Sequence, residues 1–79
     1  MSTAEDEWKL KIVENKPGEI EIVGNREGLR FLAKVCMSLS DLSDEEAKTA
    51  ANHYHFTEFF GNLEEGSTKE LIVLYKPDL

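Results

Sequence analysis

Two histidines, one cysteine and two carboxylate clusters are the side chains of this 79-residue sequence best suited to chemistry. His53 and His55 are one residue apart, so on a strand both imidazoles leave by the same face. Paired imidazoles suit a transition metal. A catalytic zinc normally takes three protein ligands, and the third would have to come from Glu58 or, across a sheet, from Glu19, Glu21 or Glu70. His53 and His55 are therefore the metal candidates, and two solvent-facing histidines among carboxylates are the plainer reading. Cys36 falls on the apolar stripe of a helix, which makes it a small buried hydrophobe. As a nucleophile it would need an adjacent base, and both histidines are expected across the sheet from it. Asp44-Glu45-Glu46 and Glu64-Glu65 lack the ligand spacing of a calcium loop. So small a chain also has little concave volume in which paired carboxylates could act on a sugar. The residues thus supply no catalytic set and no cofactor site, and the chain reads as a non-enzyme.

Composition narrows the classes further. Sixteen acidic residues against nine basic give a net charge of −7. That charge repels phosphate backbones and anionic lipid, and no basic stripe with interleaved aromatics is present, so neither nucleic acid nor membrane is an expected partner. No apolar run reaches the 18 residues a spanning helix needs. The acidic start, residues 1–6, reads as a polar leader. A single cysteine cannot form an internal disulfide, which favours a reducing, cytoplasmic setting. At 41% hydrophobic and 32% charged, the sequence suits one small globular domain over 1–79.

Period-two alternation places strands at Trp8–Val13 and Glu19–Val23, joined by the turn signal Pro17-Gly18. Lys9 and Lys11 then share the outer face with Glu19 and Glu21, while Leu10, Ile12, Ile20 and Ile22 face inward. Asn25 is a helix cap. Leu29, Leu32, Val35, Cys36 and Leu39 recur at steps of three and four and predict a helix over 26–40. Gly28 near its start costs helix propensity or allows a close approach to the sheet. Ser43 and Glu46 form a capping box, so 43–51 is read as a short second helix or as an acidic loop. Asn52–Thr57 and Glu70–Lys76 read as two more strands.

Strand, strand, helix, strand, strand is an α+β order. It predicts a four-stranded antiparallel sheet with one long helix on one face, ββαββ. The expected core is Trp8, Leu10, Ile12, Ile20, Ile22, Leu29, Leu32, Val35, Cys36, Leu39, Tyr54, Phe56 and one face of 71–75. The other face of 71–75, with Phe59, Phe60 and Leu63, is apolar surplus that a loop, a partner or a second copy must cover. Acidic side chains around it would meet a basic partner surface. The expected partner-binding residues are Glu45, Glu46, Glu58, Phe59, Phe60, Glu64 and Glu65.

From Glu19 onward the signals run Gly24-Asn25-Arg26-Glu27-Gly28-Leu29, Leu32-Ala33, the His53-x-His55 strand, Asn62-Leu63-Glu64-Glu65-Gly66-Ser67 and the last apolar strand. In that order, within roughly 19–76, they resemble the immunity protein 32 family of bacterial polymorphic toxin systems. The resemblance implies a cytoplasmic antidote that binds and blocks a toxin, with no catalytic residues. The competing readings are a small metal- or ligand-binding domain built on His53 and His55, and a structural homodimer.

Overall fold

A computed structural model describes residues 7–58 and 63–79. The expected leader, residues 1–6, and the aromatic pair Phe59 and Phe60 lie outside the described residues. Strand β1 (Leu10–Lys16) and strand β2 (Glu19–Gly24) pair antiparallel, with Leu10 opposite Gly24 and Ile12 opposite Ile22. Gly18 in their turn has φ +86°, as expected of a glycine behind a proline in a type II turn. Its N–H donates to Glu14 Oε2 at 2.8 Å. An irregularity between Glu14 and Lys16 adds the twist that such a turn does not provide. Lys11 stands opposite Val23 and Glu21 opposite Val13, so those oppositely charged side chains share a face without facing each other.

Helix α1 (Arg26–Ser40) has the predicted bounds because its cap is local chemistry. Asn25 Oδ1 accepts from the Gly28 N–H at 2.7 Å and from the Lys9 N–H at 3.0 Å, and Asn25 Nδ2 donates to the Glu7 carbonyl at 3.0 Å. One amide side chain thus ties the start of the helix to the segment entering β1. Val35 and Leu39 of α1 pack on Leu10 and Ile12, each only 1% exposed. Trp8 stacks on Phe31 with centroids 4.3 Å apart, and Phe31 meets Tyr54 and Phe56 edge-on.

The Ser43–Glu46 box forms. The Ser43 N–H donates to Glu46 Oε1 at 2.9 Å, and the Glu46 N–H donates to Ser43 Oγ at 3.1 Å. It opens two 3-10 turns, Glu46–Lys48 and Ala50–Asn52, in place of the short second helix expected at 43–51. The Ser43 backbone N–H first, and the Ser43 hydroxyl second, hold the Glu46 carboxyl below its ordinary pKa. A lowered carboxylate pKa stabilises the fold above the ordinary glutamate range. That contribution disappears as pH falls through the lowered value. Glu46→Gln should therefore flatten the acid limb of a stability-versus-pH curve measured by urea melts, and an unchanged limb would refute this.

Strand β3 (His53–Phe56) pairs antiparallel with strand β4 (Leu71–Leu74) in a separate sheet. The single four-stranded sheet expected from the sequence is corrected to two two-stranded sheets. The second edge of β1 is already occupied by residues 64–69. The Leu10 carbonyl accepts from the Glu64 N–H at 2.8 Å, and the Ile12 carbonyl accepts from the Thr68 N–H at 2.9 Å. The Ile12 and Glu14 N–H groups donate to the hydroxyls Ser67 Oγ and Thr68 Oγ1 at 3.2 and 3.0 Å. Two hydroxyls stand where strand carbonyls would, so β1 is satisfied without another strand. Gly66, at φ +93°, makes the turn that lifts Ser67 into place.

The expected core is also narrower than its pattern. Ile20 and Ile22 are 50% and 44% exposed, Leu29 is 47% exposed, and Cys36 is exposed. Helix side chains join Leu10 and Ile12 of β1 in the core and leave Ile20 and Ile22 of β2 half exposed. Leu63, expected as surplus, is buried in the core instead.

Candidate functional site

The β3–β4 register decides which apolar residues face out. Tyr54 opposite Val73 and Phe56 opposite Leu71 point into the core. His53 opposite Leu74 and His55 opposite Ile72 form the reverse face. The sequence separates Tyr54 and Phe56 from the histidines correctly, and it leaves open which set of 71–75 is bare. Ile72 and Leu74 are bare, at 55% and 50% exposed. They are the site residues the sequence reading did not single out. The signal that finds them is positional: the histidine strand supplies the polar face, and any residue opposite a histidine shares it.

The two imidazoles meet edge-on with centroids 4.8 Å apart, and His53 Nδ1 lies 3.0 Å from Asn52 Oδ1. Among the described residues no group of three His, Cys, Asp or Glu side chains is placed to hold a metal ion. Cys36, on the exposed side of α1, is not the buried hydrophobe expected.

The acidic candidates fall at the two ends of this ribbon. Glu58 and Glu70 line a cavity of about 510 Å³ with Lys69, Ser67 and Thr68, beside the Phe56–Leu71 end. Glu64 and Glu65 lead into the same segment and are exposed. Glu64 also anchors β1 through its backbone. At the His53–Leu74 end, Lys48, Asn52, Tyr75 and Asp78 surround a second cavity, and the exposed Glu45 and Glu46 precede it in the turn. Four strand residues span roughly 13 Å, so these carboxylates lie toward opposite ends of the ribbon and do not form one patch. Glu46 is committed to its capping bonds. Glu14, outside the candidate set, accepts from Gly18 and pairs with Lys69 at 3.2 Å. The Gly18 hydrogen bond first, then Lys69, holds its carboxyl below the ordinary value.

An apolar centre bounded by charge is the composition of a protein interface, and it sits here on a small α+β domain. Residues 19–77 match the family described as immunity protein 32, and the chain belongs to that family. No curated protein and no solved structure matches it. The matched span includes the capped helix, the histidine strand, the Leu63–Ser67 turn and β4. The helix cap and the turn are the bonds that hold the fold around β1.

Proposed function

We propose that the protein is a non-enzymatic antidote that blocks a toxin by docking on the outer face of β3–β4. Family membership supports the immunity role. The observation that carries the docking face is the half-exposed pair Ile72 and Leu74, flanked by His53 and His55 on a sheet whose other side is core. Their side chains would supply the desolvated centre. Glu58, Glu64 and Glu65 at one end and Glu45 and Glu46 at the other would meet basic groups on the toxin. Phe59 and Phe60, next in the chain to Glu58, are proposed as aromatic anchors. A net charge of −7 speeds encounter with a basic surface. Blocking is steric and electrostatic, and the reading places the protein in the cytoplasm.

The test uses the toxin encoded beside this protein in its genome. Co-expression should rescue growth, and the purified pair should form a stable complex. Failure to protect would overturn the reading. Association should slow steeply with added salt, because exposed charges are screened. Reversing Glu58 and Glu65 to lysine should lower the association rate about tenfold at low salt with little change in dissociation. Equal rates for the variant and the parent would remove the electrostatic part of the proposal.

A further inference from the structure

We propose that the open edge of β2 is a self-association surface, on which a second copy of this chain pairs β2 against β2 about a two-fold axis. The N–H of Ile12 and Glu14 and the carbonyls of Leu10 and Ile12 all point away from β2, toward residues 64–69. Backbone groups alternate along a strand, so Lys11 and Val13 carry the rungs to Val23 and Glu21. The N–H and C=O of Ile20, Ile22 and Gly24 therefore point outward, and among the described residues β2 pairs with β1 alone. This is an unblocked edge of the kind that templates another strand.

The register that uses these groups is self-complementary. Centred on Ile22, it sets Ile22 against Ile22 and Ile20 against Gly24 of the second copy, so every outward group on the three residues finds a partner. Glu21 then faces Val23 and avoids its own copy. Glu19 falls opposite Asn25 and beside Arg26, an opposite charge. Patterning and exposure agree with this. Ile20, Ile22 and Leu29 carry the spacing of core residues, yet each is about half exposed, and Ile22 shares the helix-side face with the buried Ile12. Together they leave bare apolar surface of roughly a few hundred Å², the scale of an interaction patch. Two copies joined here would form one four-stranded sheet, β1-β2-β2-β1, with a helix from each copy on the same face. A basic toxin suits this surface less well, because Arg26 and Arg30 border it on the helix.

Sedimentation equilibrium of the full chain, from low micromolar to near-millimolar concentration, should show a reversible dimer. Amide exchange at Ile20, Ile22 and Gly24 should slow as dimer forms. Ile22→Pro removes the central outward N–H while sparing the rungs to β1, and it should give a folded monomer. Ile22→Glu should do the same, and it serves if the proline variant unfolds. Ile72→Glu should remain dimeric. A chain that is monomeric at every concentration overturns the proposal. So does a dimer that survives both Ile22 variants, or one that Ile72→Glu abolishes. None of these outcomes depends on whether a toxin binds the β3–β4 face.

Discussion

Replacing both Ile72 and Leu74 with glutamate should abolish protection against the toxin while leaving the domain folded. Each side chain is about half exposed on a strand whose neighbours Leu71 and Val73 carry the packing, so the fold loses little. At the centre of an interface, burying an unpaired carboxylate costs far more than the lost contact. Central anchors are commonly worth about 2–4 kcal/mol each, so the double variant should weaken the complex by at least roughly a thousandfold. The measurement is a binding isotherm beside a urea melt. Full affinity with an unchanged melt would move the docking face elsewhere. An unfolded variant would be answered by the milder Ile72→Ser, which should still cost about tenfold in affinity.

The second large effect concerns stability, and its sign is the test. Gly28 lies in the first turns of α1. Helix propensity alone says that alanine there should stabilise by up to about 1 kcal/mol. The structure gives the opposite sign. A Cβ on Gly28 would lie 1.8 Å from the Lys9 carbonyl oxygen and 2.6 Å from its carbon. Both are backbone atoms, fixed by the bonds from Asn25 to Lys9 and Glu7. Relief requires lifting the helix from the start of β1, which would uncover Leu10. Overpacking of this kind costs about 1–3 kcal/mol or more. In a domain this small each kcal/mol lowers the melting point by about 4–8 °C. Gly28→Ala should therefore melt at least about 4 °C lower. A melting point equal to or above the parent would mean that the helix does not approach β1 this closely.

What the sequence made legible follows the range of the interactions. The hairpin turn at Pro17-Gly18, the Asn25 cap and the Ser43–Glu46 box each act over two to four residues, and each formed as read. The alternation of His53–Phe56 was equally local and assigned its two faces correctly. The partition into two sheets was not legible. It depends on Ser67 and Thr68 reaching Ile12 and Glu14, more than fifty residues away, and a hydroxyl in a turn does not announce that it will replace a strand carbonyl. Ile20, Ile22, Leu29 and Cys36 misled for a related reason. Periodicity reports which residues share a face, and it does not report how far the helix reaches across that face. Ile72 and Leu74 were undecided from 71–75 alone and became readable once paired with His55 and His53. The acidic candidates were legible as charges, and their division between two ends was not.

Trp8, the sole tryptophan, lies against Phe31 with its ring plane only 12° from parallel. Its emission will therefore report whether the entering chain is seated on the helix. The indole belongs to the core contacts and is part of neither proposed docking surface, so fluorescence should track unfolding and stay nearly silent on assembly. A single optical channel can then separate variants that damage the scaffold from those that damage only what it carries.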